Sequence, residues 1–115
     1  MKVNTNKEVK VMKCEESFAE MYNFENILHL IEKLANDKAE VCISTTNAKG
    51  EYLSGYGHVY GHTETTQNGE TYEVAVVGLG NNIYKAFGMN LSSFFHNVSV
   101  PAEYSDLHKS CLRTR

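Results

Sequence analysis

Asn68-Gly69 constrains the fold of this chain more than any other pair of residues in it. It lies between Glu64-Thr65-Thr66-Gln67 and Glu70-Thr71-Tyr72-Glu73-Val74, and a two-residue type I′ hairpin loop needs positive φ at both central positions, which Asn-Gly supplies. Gln67 is therefore expected opposite Glu70. Counting back, Thr65 should face Tyr72, Thr63 Val74, His62 Ala75, Tyr60 Val77 and His58 Leu79. Upstream, Asn47-Ala48-Lys49-Gly50 suits a type I turn closed by a left-handed glycine bulge, which would pair Thr45 with Tyr52, Ile43 with Ser54 and Val41 with Tyr56. Ala39 to Gly80 thus reads as three antiparallel strands.

Side chains alternate along a strand, so these registers sort the sheet into two faces. One would carry Val41, Ile43, Tyr52, Tyr56, His58, Tyr60, His62, Ala75, Val77 and Leu79 as an aromatic core face. The other, with Cys42, Ser44, Leu53, Gly55, Gly57, Val59, Gly61, Tyr72, Val74, Val76 and Gly78, is apolar but has little bulk. Tyr52, Tyr56, His58 and Tyr60 also suit a stacking platform for bases. They share their expected face with large aliphatic residues, however, and so are read as core, with hydroxyls at the rim.

Around the sheet, Lys7 to Lys13 alternates charged and apolar residues and reads as an edge strand with Val9 and Val11 inward. Ser17-Phe18-Ala19-Glu20 has capping-box spacing. From Phe18 to Ala35 apolar residues recur at helical intervals, ending near Asn36-Asp37, with Asn23 as a second place where a helix could start. Three short helices should follow: one capped by Asn81-Asn82 and stopped at Gly88, one capped by Asn90, and one opened by Pro101. The expected fold is α+β: an antiparallel three- to four-stranded sheet, one long N-terminal helix on one face, and short C-terminal helices on or near the other. At 115 residues this is a single domain over 1–115, with 1–7 and 113–115 as flexible ends.

Charge and cysteine usage narrow the chemistry. A net charge of −3 argues against a general phosphate-backbone binder. Cys14, Cys42 and Cys111 are odd in number and show no CxxC spacing, so no disulfide framework or zinc site is expected, and a cytoplasmic location is the default. No signal-peptide run or membrane span is read. His58 and His62, four residues apart on a flat strand, stand about 13 Å from each other, too far to share a metal. Cys42 is expected on the opposite face from both histidines, which removes a base for it. Gly78-Leu79-Gly80-Asn81-Asn82-Ile83 lacks the third glycine of a dinucleotide loop, although backbone N–H groups near Asn81 to Ile83 suit an anion. No catalytic residue, metal or cofactor is assigned. The candidate ligand-binding residues are His58, Tyr60, His62, Asn81 and Asn82.

Helix, three strands and helix from Ser17 to Val98 is similar in order to the double-stranded RNA-binding domain, a resemblance of topology that implies duplex RNA as a ligand. That family grips phosphate with lysines at the start of its second helix, where this chain has Asn81-Asn82-Ile83-Tyr84-Lys85-Ala86. The expected function is a small cytoplasmic non-enzymatic binding protein acting on a host or cellular protein, as an inhibitor or phage accessory factor, and forming a homodimer. The phage reading follows from nine lysines to two arginines, a bias of AT-rich genomes. The alternative is a nucleic-acid or small-nucleotide binder using the sheet or a dimer pocket near His58, Tyr60 and His62. An enzyme is the lesser alternative, and no membrane partner is expected.

Overall fold

A computed structural model describes residues 9–47 and 49–113. Of the expected flexible ends 1–7 and 113–115, residues 1–7 and 114–115 lie outside the described residues, as do Lys7 and Glu8 of the edge strand and Ala48 of the hairpin loop. The fold is α+β, built on one antiparallel five-stranded sheet rather than three or four strands. The strands are β1 (Glu40–Thr46), β2 (Tyr52–Gln67), β3 (Glu70–Leu79), β4 (Phe87–Met89) and β5 (Val98–Ser99), in the order β4-β3-β2-β1-β5. Among the described residues three α-helices accompany them: α1 (Phe24–Asn36), α2 (Leu91–Asn97) and α3 (Ser105–Ser110).

The hairpin at Asn68-Gly69 has the expected register, from Gln67 opposite Glu70 to His62 opposite Ala75. Both loop residues have positive φ, 53° and 80°, as the tight loop requires. Beyond His62 the register shifts at a bulge between Val59 and Gly61, so Val59, not Tyr60, faces Val77. Gly61 takes φ 136°, a conformation that glycine reaches without strain.

The first hairpin corrects the expectation too. Asn47 pairs with Glu51 through its backbone N–H at 2.9 Å, and the Asn47 side-chain oxygen accepts the amides of Lys49 and Glu51, each at 2.9 Å. That encloses three residues rather than four. Thr46 then faces Tyr52, Ile43 faces Gly55 and Val41 faces Gly57. The loop and the bulge each displace the register by one residue, and a one-residue slip reverses a strand's faces. Leu53, Gly55, Gly57 and Val59 therefore join Val41, Ile43, Ala75 and Val77 on the core face, while Tyr52, Tyr56 and His58 point the other way.

That exchange has an energetic reason. A tyrosine buried beneath a helix must find a partner for its hydroxyl, or the unmade hydrogen bond costs about 1–3 kcal/mol. Glycine and valine carry no such debt. Val59 is buried at 3% exposure, whereas Tyr52 and Tyr56 remain 68% and 67% exposed.

The expected long helix is split. A 3₁₀ turn covers Lys13–Phe18, and α1 begins afresh after Asn23, whose side-chain oxygen accepts the Asn26 amide at 3.1 Å. Ile27, Leu30, Ile31 and Leu34 of α1 are buried. The C-terminal helices do not take the other face. Leu91, Phe94 and Phe95 of α2, with Tyr104 and Cys111 around α3, share one core cluster with α1 and with Val41, Ile43 and Val77. Having emerged at the β4 edge, the chain crosses through α2 to the β5 edge on the same side, and Asn97 donates to the Thr45 hydroxyl at 3.2 Å.

The expected helix after Asn82 is a 3₁₀ turn, Ile83–Lys85, followed by β4. Pairing Met89 with Ala75 and Phe87 with Val77 puts two more large side chains over the core face. The N-terminal stretch is not a ladder strand among the described residues. The Lys10 carbonyl accepts the Glu73 amide at 2.9 Å, and Val9 and Val11 pack against the core. Glu15 is fully buried, its carboxylate accepting the amides of Ser92, at the start of α2, and of Met12. A carboxylate placed there satisfies two donors and meets the positive end of the helix. Arg113, expected to fray, is pinned by its side chain to the Tyr22 carbonyl at 2.9 Å. Among the described residues no helix is long and apolar enough to cross a membrane.

Candidate functional site

With the three helices of the described residues on one side, part of the opposite sheet face is left open by those residues. Alternation along β1 and β2 places Glu40, Cys42, Ser44 and Thr46 beside Tyr52, Ser54, Tyr56 and His58 on it. The surface is aromatic and hydroxylic, and neither strand contributes a lysine or arginine to it. Tyr52 hydrogen-bonds through its hydroxyl to the Ser44 hydroxyl across the ladder, which holds the ring over its neighbour strand. Toward β3 the face closes, since Tyr72 and Val74 are each 7% exposed and Tyr72 donates to the Gln67 side chain at 2.7 Å. The open area is thus the β1–β2 half of the sheet.

His58 and Tyr60 border this area. His58 Nδ1 lies 2.7 Å from the Gly80 carbonyl, so the imidazole is tied to the turn after β3. Tyr60, the bulged residue, lays its ring against Gly78, where a Cβ would stand 3.5 Å from the ring and 3.2 Å from the Ala86 backbone. Its hydroxyl is buried and has no hydrogen-bond partner among the described residues. Cys42 is on the same face as His58, not the opposite one, because the first hairpin's register is shifted. Cys111 is a different case: burial pushes its thiol up to about 11, which keeps it protonated.

His62 is not part of the open face. It keeps its expected place opposite Ala75 on the helix side, where Nε2 lies 2.8 Å from Glu32 of α1 and Nδ1 lies 3.0 Å from Glu73 of β3. Two carboxylates on the two ring nitrogens suit an imidazolium, which alone donates from both. Burial by itself would lower the His62 pKa, but the hydrogen bonds and charges of Glu32 and Glu73 outweigh it and raise the value above the ordinary one. A raised folded-state pKa stabilises the fold fully below the unfolded value of about 6.5, and that contribution disappears as pH rises through the folded value. Thermal melting is accordingly expected to weaken from mildly acidic to mildly alkaline pH in the native chain, and to weaken less in His62→Gln. Equal pH slopes in the two proteins would refute the assignment.

The two remaining candidate residues lie in the β3–β4 connection. Asn81 and Asn82 are exposed, and the Asn82 side-chain oxygen accepts the Tyr84 amide at 3.0 Å. Ile83 and Tyr84 beside them are 56% and 95% exposed. Of the five candidates, the structure brings His58 and Tyr60 to one place, sets Asn81 and Asn82 in the adjoining turn, and separates His62. The residues missed are Tyr52 and Tyr56, which alternation alone would have placed correctly had the loop been counted as three residues. Among the described residues no three His, Cys, Asp or Glu side chains converge to hold a metal ion. Compared with protein-family models, curated proteins and solved structures, the chain matches none.

Proposed function

We propose that the chain is a small protein-binding module that receives a partner protein on the open half of its sheet, and that in covering the partner's own surface it acts as an inhibitor or accessory factor. The observation that carries this is the exposure of Tyr52 and Tyr56, 68% and 67%, on a strand whose other face is packed. Tyrosine supplies a large amphipathic contact with little side-chain entropy to lose, and serine beside it supplies adaptable hydrogen bonds. Tyr52, Ser54, Tyr56 and Ser44 are that combination, on rigid strands rather than loops.

Base stacking is the competing use of exposed rings. It requires cations to follow the phosphate backbone, and this face carries Glu40 and no lysine or arginine from β1 or β2. The test is affinity capture from a lysate of the cells that express the chain, with photo-crosslinking from position 56. The expected result is a specific protein crosslinked by the native chain and lost with Tyr56→Ala. Retention of nucleic acid at low salt, or capture unaffected by Tyr56→Ala, would overturn the reading.

A further inference from the structure

One corner of the open face is chemically specific. The Gly80 amide donates to the Tyr56 carbonyl at 2.8 Å, so the even-numbered residues in this part of β2 direct their backbone groups away from β1. Tyr56 opposite Cys42 and His58 opposite Glu40 are therefore non-hydrogen-bonded pairs, the kind whose Cα atoms come within about 4.5 Å and whose side chains come closest. Glu40 stands diagonal to Tyr56 on the same face, within reach of a long side chain. Tyr52 already spans the equivalent diagonal: it lies opposite Thr46, and its hydroxyl reaches Ser44. Directly opposite Tyr56 stands the small side chain of Cys42, so no bulky group of β1 crowds the space between the Tyr56 ring and the Glu40 carboxylate.

Three groups at this corner suit the same ligand. The Tyr56 ring, 67% exposed, offers the negative face of its π-system. Glu40 is exposed and forms no ion pair among the described residues. His58 Nδ1 lies 2.7 Å from the Gly80 carbonyl, which can only accept, so Nδ1 carries the proton and the neutral ring keeps Nε2 as an acceptor. Each of the three is complementary to a donor or to positive charge, and neither β1 nor β2 contributes a lysine or arginine. We infer that this corner seats a cationic side chain of a basic segment of the partner protein, arginine in preference to lysine, with the guanidinium flat on Tyr56 and its N–H groups donating to Glu40. A planar guanidinium can stack and donate at once, whereas an ammonium is a compact charge that holds its hydration more strongly. The net charge of −3 favours the approach of such a segment. The inference rests on the protein-docking reading and adds the chemistry that the partner brings to it.

The probe is a displayed library of random short peptides, depleted on the Tyr56→Ala chain and then selected on the native chain, so that every peptide kept depends on the ring. The kept sequences are expected to share an arginine or a lysine. Synthetic copies with citrulline in place of that arginine, or acetyl-lysine in place of that lysine, lose the charge and should bind about tenfold more weakly. Glu40→Gln should weaken the cationic peptide by about threefold and leave its neutral counterpart unchanged, because the charge pair is already absent from it. Tyr56→Phe, which keeps the ring and removes the hydroxyl, should bind as the native chain does. Circular dichroism checks that each variant is folded. Ring-dependent peptides that carry no cation would overturn the inference and leave the docking surface standing, as would a cationic peptide indifferent to Glu40→Gln. A library from which nothing is kept after depletion on Tyr56→Ala would overturn both.

Discussion

Gly57→Val is expected to destabilise the protein by about 3 kcal/mol or more, read as a lower urea midpoint. Gly57 is buried in β2 opposite Val41 on one side and Leu79 on the other. A Cβ built there would stand 2.1 Å from the Gly78 carbonyl oxygen and 2.9 Å from Ile43 Cδ1. The first neighbour is backbone of the adjoining strand, so it cannot rotate aside. Either β2 and β3 separate locally, losing ladder hydrogen bonds, or the core beneath α1 opens. Even Gly57→Ala should cost a large part of this, because the first added carbon already meets the obstacle. The substitution also tests strand phase. If Gly57 faced solvent, valine would be tolerated and its β propensity would help. Unchanged stability in Gly57→Val would therefore mean that β2 has its other face inward.

Phase was also where the sequence was hardest to read. The Asn68-Gly69 loop specifies its own backbone angles, so six residue pairs, from Gln67 with Glu70 to His62 with Ala75, were legible. The caps of α1 and α2 were legible for a similar reason, since Asn23 and Asn90 each have a side-chain oxygen that can satisfy an otherwise orphaned amide. Asn47-Ala48-Lys49-Gly50 was ambiguous between a loop of three residues and one of four, and the local signal, a glycine able to take φ 85°, is common to both. The bulge at Tyr60-Gly61 had no distinct signature, as glycine alternates through this strand at 55, 57 and 61. Each ambiguity is worth one residue, and each reverses a face. The candidate site was consequently legible as a set of residues but not as a surface: Tyr52, Tyr56, His58 and Tyr60 stood out as an aromatic group, and their assignment to the core depended on pairings that the fold does not make. Phe87-Gly88-Met89 is too short for periodicity to distinguish strand from helix, and only its pairing with Val77, Val76 and Ala75 decides it.

Phe94→Ala should be the more damaging of the core truncations, at about 4 kcal/mol. Phe94 is 1% exposed and sits in the same cluster as Leu30, Ile31, Val41 and Val77. A helix of seven residues cannot hold itself together in water, so α2 exists because its apolar side is buried. Emptying that site removes the reason for the helix as well as a ring from the core. A loss of this size is a large share of the 5–15 kcal/mol that domains usually have, and the melting temperature should fall by roughly 15 °C. Far-UV and near-UV circular dichroism should report one coincident transition in both proteins, because α1 and α2 share their core residues. If α2 instead unfolded first, leaving α1 on the sheet, the helices would be separate layers and the single-core description would fail. The same cooperativity bears on function. Since the packed side alone accounts for folding, Tyr56→Ala on the open side should alter stability by no more than about 0.5 kcal/mol, and a loss of partner capture in that variant can then be attributed to the surface itself.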